Sequence, residues 1–280
     1  MQLTPRYGSR PVLALDGDPA AIAGPTIRQR QRLADAVGGF TAEQWAHPTR
    51  CRGWSSRDVI SHLDSTNAFW TFAIGQGLQG QPSQLLATFD PVATPAQLVA
   101  ATEADTDEAV RDRFLASNDA FLALLDGLDA AGWTTLAEAP PGHLTISALA
   151  HHALWDGWVH ERDILLPQGT TPAVEADEVA ASLRYVAGMA PAYALTRGET
   201  RRGTLAIEAT DPDVHVVVDV GDEVDVRSGV GGAETDLRVT GSAVDLLEAL
   251  SIRAPLPAAD PASASWLLDG LAVTFDGEPT

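Results

Sequence analysis

In the stretch HHALWDGWVHERD, residues 151 to 163, His152, Asp156 and His160 recur every four residues and share one stripe of a helix. The Leu, Trp and Val residues between them mark the same helix as one that buries itself. Ionisable side chains on such a helix are costly unless something compensates them. His152 and His160 are separated by about 12 Å along the axis, too far for one small ion to take both. Asp156 and His160 are one turn apart, with Cβ atoms roughly 5–6 Å from each other, and can converge on a single cation. A third ligand must come from another helix. His62, in DVISHLDS, lies beside an inward stripe of Val59, Leu63, Thr66 and Phe69 or Trp70, and can face them across a bundle. Two histidines and one carboxylate leave positions open to water or substrate, which is a catalytic arrangement for a divalent ion and not a closed structural one. Spacing alone also fits hydrogen-bonded core histidines, since an Asp-x-x-x-His pair is common by accident. His152 is a candidate for the layer behind the ligands. His47, His143 and His215 fall in loop or strand contexts and read as structural or solvated. The one cysteine, Cys51, reads as a packed small residue, because no base accompanies it in sequence. Trp45 and Trp54 read as structural, flanking a loop that must fold back on the helices.

The elements that would position these residues are helical in the first part of the chain. Apolar spacing predicts a helix over residues 26 to 40, ending at Gly38-Gly39. A second helix is expected from about Ser56 to Ile74, with Ser55 as N-cap and Asp58 completing a capping box. A long helical pattern follows from Pro95 to Leu128, and a fourth helix from near Ile146 to about Leu165. Four such helices imply a four-helix bundle. Composition then changes. A helix over 175 to 195 precedes TLAIEA, HVVVDV, EVDVRS and TDLRVT, short β-branched segments punctuated by DP, GD and GG. SAVDLLEALSIR reads as a helix capped by Ser242 with Asp245 at the box position, and LAVTFD as a last strand. The expected fold class is α+β: a loose lead-in over 1–24, a metal-binding four-helix bundle over 25–168, and a smaller α+β domain over 169–280.

Composition bounds the function. Hydrophobic residues make up 45% of 280, enough for a sizeable core, and the formal charge is −20. All 18 basic residues are arginine. Acidity on this scale argues against nucleic acid and against an anionic membrane surface. One cysteine excludes an internal disulfide and a cysteine-built zinc site. With no long apolar run and no cationic, apolar leader, the expectation is a soluble cytoplasmic protein.

The string EQWAHPTRCRGWSSRDVISHL resembles the N-terminal signature of the mycothiol-dependent maleylpyruvate isomerase family, within the DinB-like metal-binding bundles. The matching residues are Trp45, Pro48, Cys51, Gly53, Trp54, Ser55, Arg57, Asp58, Val59, His62 and Leu63. DGWVHERDI looks like the family's second signature through Asp156, His160 and Asp163, and RVTGSAVDLLEALSIR resembles its smaller, sterol carrier protein type 2-like domain. The resemblance implies zinc held by His62, Asp156 and His160, with mycothiol as co-substrate. Arg253 would be the counterpart of an arginine that binds substrate carboxylates, a task its planar fork suits. Two departures stand out. The family's isomerase usually carries Glu where this chain has Asp156, and a Gly-Arg pair where it has Ile252-Arg253. The implied chemistry is thiolate addition to an activated double bond, rotation, and elimination, giving cis–trans isomerisation of an unsaturated keto-diacid. A thiol S-transferase acting on electrophiles, or a non-catalytic small-molecule- or metal-binding protein, fits the same scaffold. The expected partners are a small-molecule substrate and a low-molecular-weight thiol.

Overall fold

The computed structural model describes residues 3–275. The chain opens with a short strand, β1 (Leu13–Leu15), inside the segment expected to be a loose lead-in. Helix α1 (Ala23–Gly38) follows, then the short α2 (Ala42–Ala46), whose N-cap Thr41 and Gln44 form a capping box. Helix α3 (Ser56–Leu78) starts at the expected Ser55–Asp58 box and runs a turn further than its apolar pattern suggested. The helical pattern from Pro95 to Leu128 is two helices, α4 (Ala93–Ala100) and α5 (Asp107–Asp126). Thr106 caps the second of them by accepting the Ala109 N–H, so a new helix starts where periodicity alone read as continuous. After α6 (Ala130–Thr134) comes a small hairpin, β2 (Leu136–Ala139) and β3 (Gly142–Thr145), that leads directly into α7 (Ile146–Leu165). Thr145 caps α7. Helices α1, α3, α5 and α7 pack around one another as the expected bundle.

The remainder is α8 (Ala176–Thr196), β4 (Gly203–Thr210), β5 (Val214–Val220), β6 (Val224–Ser228), β7 (Leu237–Ser242), α9 (Ala243–Leu250) and α10 (Gly270–Thr274). The sheet order is β1-β6-β5-β4-β7. The middle strands are antiparallel, whereas β1 and β7 join the edges in parallel. The segment LAVTFD, expected as a strand, forms most of α10, and its Asp276 lies outside the described residues. The segment packs against α8 instead of joining the sheet: Gly270 lies so close that a Cβ there would be 1.6 Å from the Ala190 carbonyl oxygen, and Arg197 Nη1 donates to the Gly270 carbonyl at 2.7 Å. The whole is α+β with a helical first half.

Helix α8 is buried along nearly its full length, between α7 on one side and the sheet on the other. The larger apolar core therefore runs without interruption from Trp70, Leu149 and Trp158 of the bundle through Tyr185 and Val186 to Val216 and Val226 of the sheet. A second, separate cluster closes the other end of the bundle around Leu33, Val37, Trp45, Val59, Leu63 and Phe114.

Candidate metal centre

Helices α3 and α7 bring three polar side chains together at the border of that second cluster. The ligand atoms of His62, Asp156 and His160 all lie within 4.8 Å of one another. Asp156 Oδ1 is 3.9 Å from His62 Nε2 and 3.5 Å from His160 Nε2, and the two imidazole rings sit edge to face, 5.1 Å between centroids. These separations exceed hydrogen bonds. They match ligands sharing an ion, since two bonds of 2.0–2.2 Å at a tetrahedral angle hold their donor atoms about 3.4 Å apart. Two buried polar atoms of the donor set make no hydrogen bond: Asp156 Oδ2 and His62 Nδ1. Two histidines and a carboxylate so placed suit a borderline divalent ion.

Each member has a packing reason for its position. Val59 and Leu63 are fully buried beside His62, and the ring of Trp54 lies 5.5 Å from the His62 ring. Gly157, next to Asp156, lets α1 approach α7 closely: a Cβ there would lie 2.3 Å from Gln29 Oε1 and 3.0 Å from Arg30 Nε. That approach puts the fully buried Arg30 guanidinium 3.9 Å from Asp156 Oδ2, on the side away from the histidines. Arg30 shares a helical stripe with Ile27, Leu33, Ala34 and Val37, but nothing local in the sequence marks its charge as buried, a rare setting for arginine.

Burial works to raise the Asp156 carboxyl, but His160 and then His62 outweigh it and hold it well below the usual carboxylate range. Burial lowers His62, with Asp156 opposing. For His160 burial is overcome by Cys51, Asp156 and Asp163, and the imidazole stays protonated well above its ordinary value in the absence of a cation. His152 stands apart from the three. Its Nδ1 shares a 2.7 Å hydrogen bond with the Tyr185 hydroxyl, its ring is enclosed by Trp70, Trp155 and Tyr185, and burial pushes it down to about 4. His143 hydrogen-bonds the Gly8 and Ser83 carbonyls, whereas His47 and His215 sit at the surface.

Behind His160 lies a second group, Cys51, His160 and Asp163, also close enough to share an ion. Cys51 Sγ is 3.2 Å from Asp163 Oδ2 and 3.7 Å from His160 Nδ1. Partners more than a hundred residues away in sequence were invisible to a search for a neighbouring base. Asp163, however, is already claimed by two arginines. Arg50 Nε donates to its Oδ1 at 2.9 Å, and Arg253 grips both oxygens at 2.8 Å. Arg253 also donates from Nη1 to the Ser251 carbonyl, so its fork is committed inside the protein. It lines an open cleft of about 440 Å³ beside α9 together with Ser242, Asp245, Glu248 and Pro255.

Residues 27–165 match the family model of the mycothiol maleylpyruvate isomerase N-terminal domain. No curated protein matches the chain by sequence. Two solved structures match in fold: the crystal structure of the mycothiol-dependent maleylpyruvate isomerase, and that of a histidine-to-alanine mutant of it. Each shares 12% identity and a TM-score of 0.55, over 82% of this chain and 86% of the other. At that identity the likeness speaks for fold and not for reaction. Through its helical half the chain belongs to the mycothiol maleylpyruvate isomerase family.

Proposed function

We propose that His62, Asp156 and His160 bind one divalent ion, zinc, and that the protein is a cytoplasmic enzyme using it with mycothiol to isomerise an unsaturated keto-diacid. The observation that carries this reading is the 3.5 Å and 3.9 Å spacing of Asp156 Oδ1 from the two Nε2 atoms. When bound, the ion supplies Lewis acidity that favours the thiolate form of a thiol at neutral pH. The chain's own residues do the rest. His62 and His160 present ring nitrogens, and Asp156 supplies the one negative charge among the three. Arg30 faces the far oxygen of Asp156 and holds the carboxylate turned toward the histidines. All three ligands are largely buried, which limits water and strengthens every charge interaction there. The thiolate sulfur adds to the activated double bond, rotation follows about the new single bond, and elimination restores the double bond and releases the thiol unchanged.

A second reading, thiol transfer to an electrophile, is favoured by one observation. Arg253 spends its fork on Asp163 and Ser251, leaving no free donor pair for a substrate carboxylate. The test is turnover of maleylpyruvate by metal-loaded protein, with mycothiol, with metal alone and with neither. Isomerisation that needs both components and regenerates the thiol supports the first reading. Stoichiometric thiol consumption with an S-conjugate product supports the second. A rate indifferent to metal and thiol overturns both.

A further inference from the structure

His160 has its two ring nitrogens engaged on opposite sides. Nε2 faces Asp156 Oδ1 at 3.5 Å, and Nδ1 lies 3.0 Å from Asp163 Oδ2. Asp163 is fully buried and cannot swing away. Its Oδ1 receives Arg50 Nε at 2.9 Å and Arg253 Nε at 2.8 Å, while its Oδ2 receives Arg253 Nη2 at 2.8 Å. A carboxylate pinned this way accepts a hydrogen bond from Nδ1–H at one fixed angle. An imidazole that carries its proton on Nδ1 presents the Nε2 lone pair. The pinning comes from both halves of the chain. Arg50 precedes α3, whereas Arg253 follows α9, whose Glu248 in turn binds Arg50 at 2.7 Å and Arg162 at 2.6 Å.

The turn that delivers Arg253 is itself constrained. At the end of α9 the Arg253 N–H bonds the Glu248 carbonyl at 2.8 Å and the Ile252 N–H bonds the Ala249 carbonyl at 3.1 Å. This is a Schellman closure, with Ile252 at the left-handed position, φ +61°. It fixes the direction in which the Arg253 side chain leaves the helix.

We propose that Asp163 is a positioning residue for the metal centre, holding His160 in the Nδ1–H tautomer with Nε2 turned toward Asp156 and His62, and that Arg253 clamps it from the C-terminal half. The proposal rests on the reading of His62, Asp156 and His160 as metal ligands. It gives Arg253 a task at the metal side of the protein without contact to substrate, and it gives the second half of the chain a direct hold on a ligand in the first.

The test uses zinc-loaded full-length protein labelled with ¹⁵N-histidine. Long-range ¹H–¹⁵N spectra read which His160 nitrogen carries the proton, and competition with a chromophoric chelator reads zinc affinity. The variants are Asp163→Asn, Arg253→Lys and, as a control, Arg202→Gln, since Arg202 pairs the exposed Asp222 and no member of the Asp163 network. In wild type, Nδ1 of His160 is protonated and Nε2 binds zinc. Asp163→Asn lowers zinc affinity by about 10–100-fold and broadens or shifts the His160 signals, because its amide has no fixed preference for accepting Nδ1–H. Arg253→Lys keeps the charge, loses the fork, and lowers affinity by a smaller factor. Arg202→Gln leaves affinity and His160 signals unchanged whatever it does to melting temperature. Unaltered affinity and His160 signals in folded Asp163→Asn overturn the proposal. If Asp163→Asn does not fold, the same null result in Arg253→Lys overturns it. A wild type that takes up no zinc instead brings down the ligand reading, and this proposal with it.

Discussion

Asp156 carries a burden that a neutral side chain would not. Its carboxylate is buried, yet the contacts of its Oδ1 with both histidines are longer than hydrogen bonds, and its Oδ2 faces only Arg30 at 3.9 Å. The proposed cation accounts for the long contacts of Oδ1. Asp156→Ala therefore removes the only anionic ligand and lowers zinc affinity by two orders of magnitude or more, on the order of 3 kcal/mol. Asp156→Glu keeps the charge on a longer arm and retains zinc. Isothermal titration of both variants checks the order; Glu more damaging than Ala contradicts it, since that is what an ordinary packed core position would give. The same site predicts a pH dependence. Without metal, His160 holds its proton well above the ordinary imidazole range, and the proton must leave before Nε2 can bind an ion. The folded pKa is raised, so protons compete with metal at every pH below it. Apparent zinc affinity should rise about tenfold per pH unit across neutrality and level off only above that raised pKa. A flat profile between pH 6 and 8 contradicts this assignment. The pairing of Asp156 with His160 was legible from four-residue spacing, and His62 from its place beside an apolar stripe. Arg30 and the partners of Cys51 were not, because they depend on how α1 and the loop before α3 meet α7, which no local pattern encodes.

At the scale of elements, the helix ends explain more than the helix interiors. Ser55 with Asp58, and Ser242, were readable as caps because their side chains act within three residues. The end of α9 was readable only in part. A Gly-Arg pair would have announced a left-handed residue, whereas Ile252 gave no such signal and occupies φ +61° nonetheless. A β-branched residue there is strained by roughly 1–3 kcal/mol, and the closure around Arg253 keeps it in place. The expected outcome concerns two truncations. Ile252→Ala and Ile252→Gly lose comparable packing, but only glycine also relieves the strain, so the Gly variant should be more stable than the Ala variant by about 1 kcal/mol. Chemical denaturation of the pair measures this, and an Ala variant of equal or greater stability contradicts it. The misassigned LAVTFD shows the opposite limit. Its alternating pattern fits a strand locally, but the segment folds as a short helix against α8, a long-range contact that no local pattern encodes.

The molecule as a whole was legible as a bundle followed by an α+β part, and we keep residues 25–168 and 169–280 as a proposed description of those parts. Two features bind them. One apolar core crosses from Trp158 to Val226, and one ion network joins Arg50, Asp163 and Arg162 to Glu248 and Arg253. Neither was visible beforehand, because a sequence pattern marks which face of α8 is apolar and not that both of its sides are covered. A shared core predicts one cooperative thermal transition for the metal-free protein, followed in parallel by bundle-weighted helix signal and by sheet-weighted signal. Two separated transitions would show the halves to be independent. Among the described residues no helix is long and apolar enough to cross a membrane.

The central claim, that His62, Asp156 and His160 hold one divalent ion, is tested most directly by zinc-edge anomalous diffraction from crystals of the protein grown with zinc. The account predicts a single strong peak per chain, about 2.0–2.2 Å from Nε2 of His62, Nε2 of His160 and an oxygen of Asp156. No peak there, or a peak instead between Cys51, Nδ1 of His160 and Asp163, would contradict it.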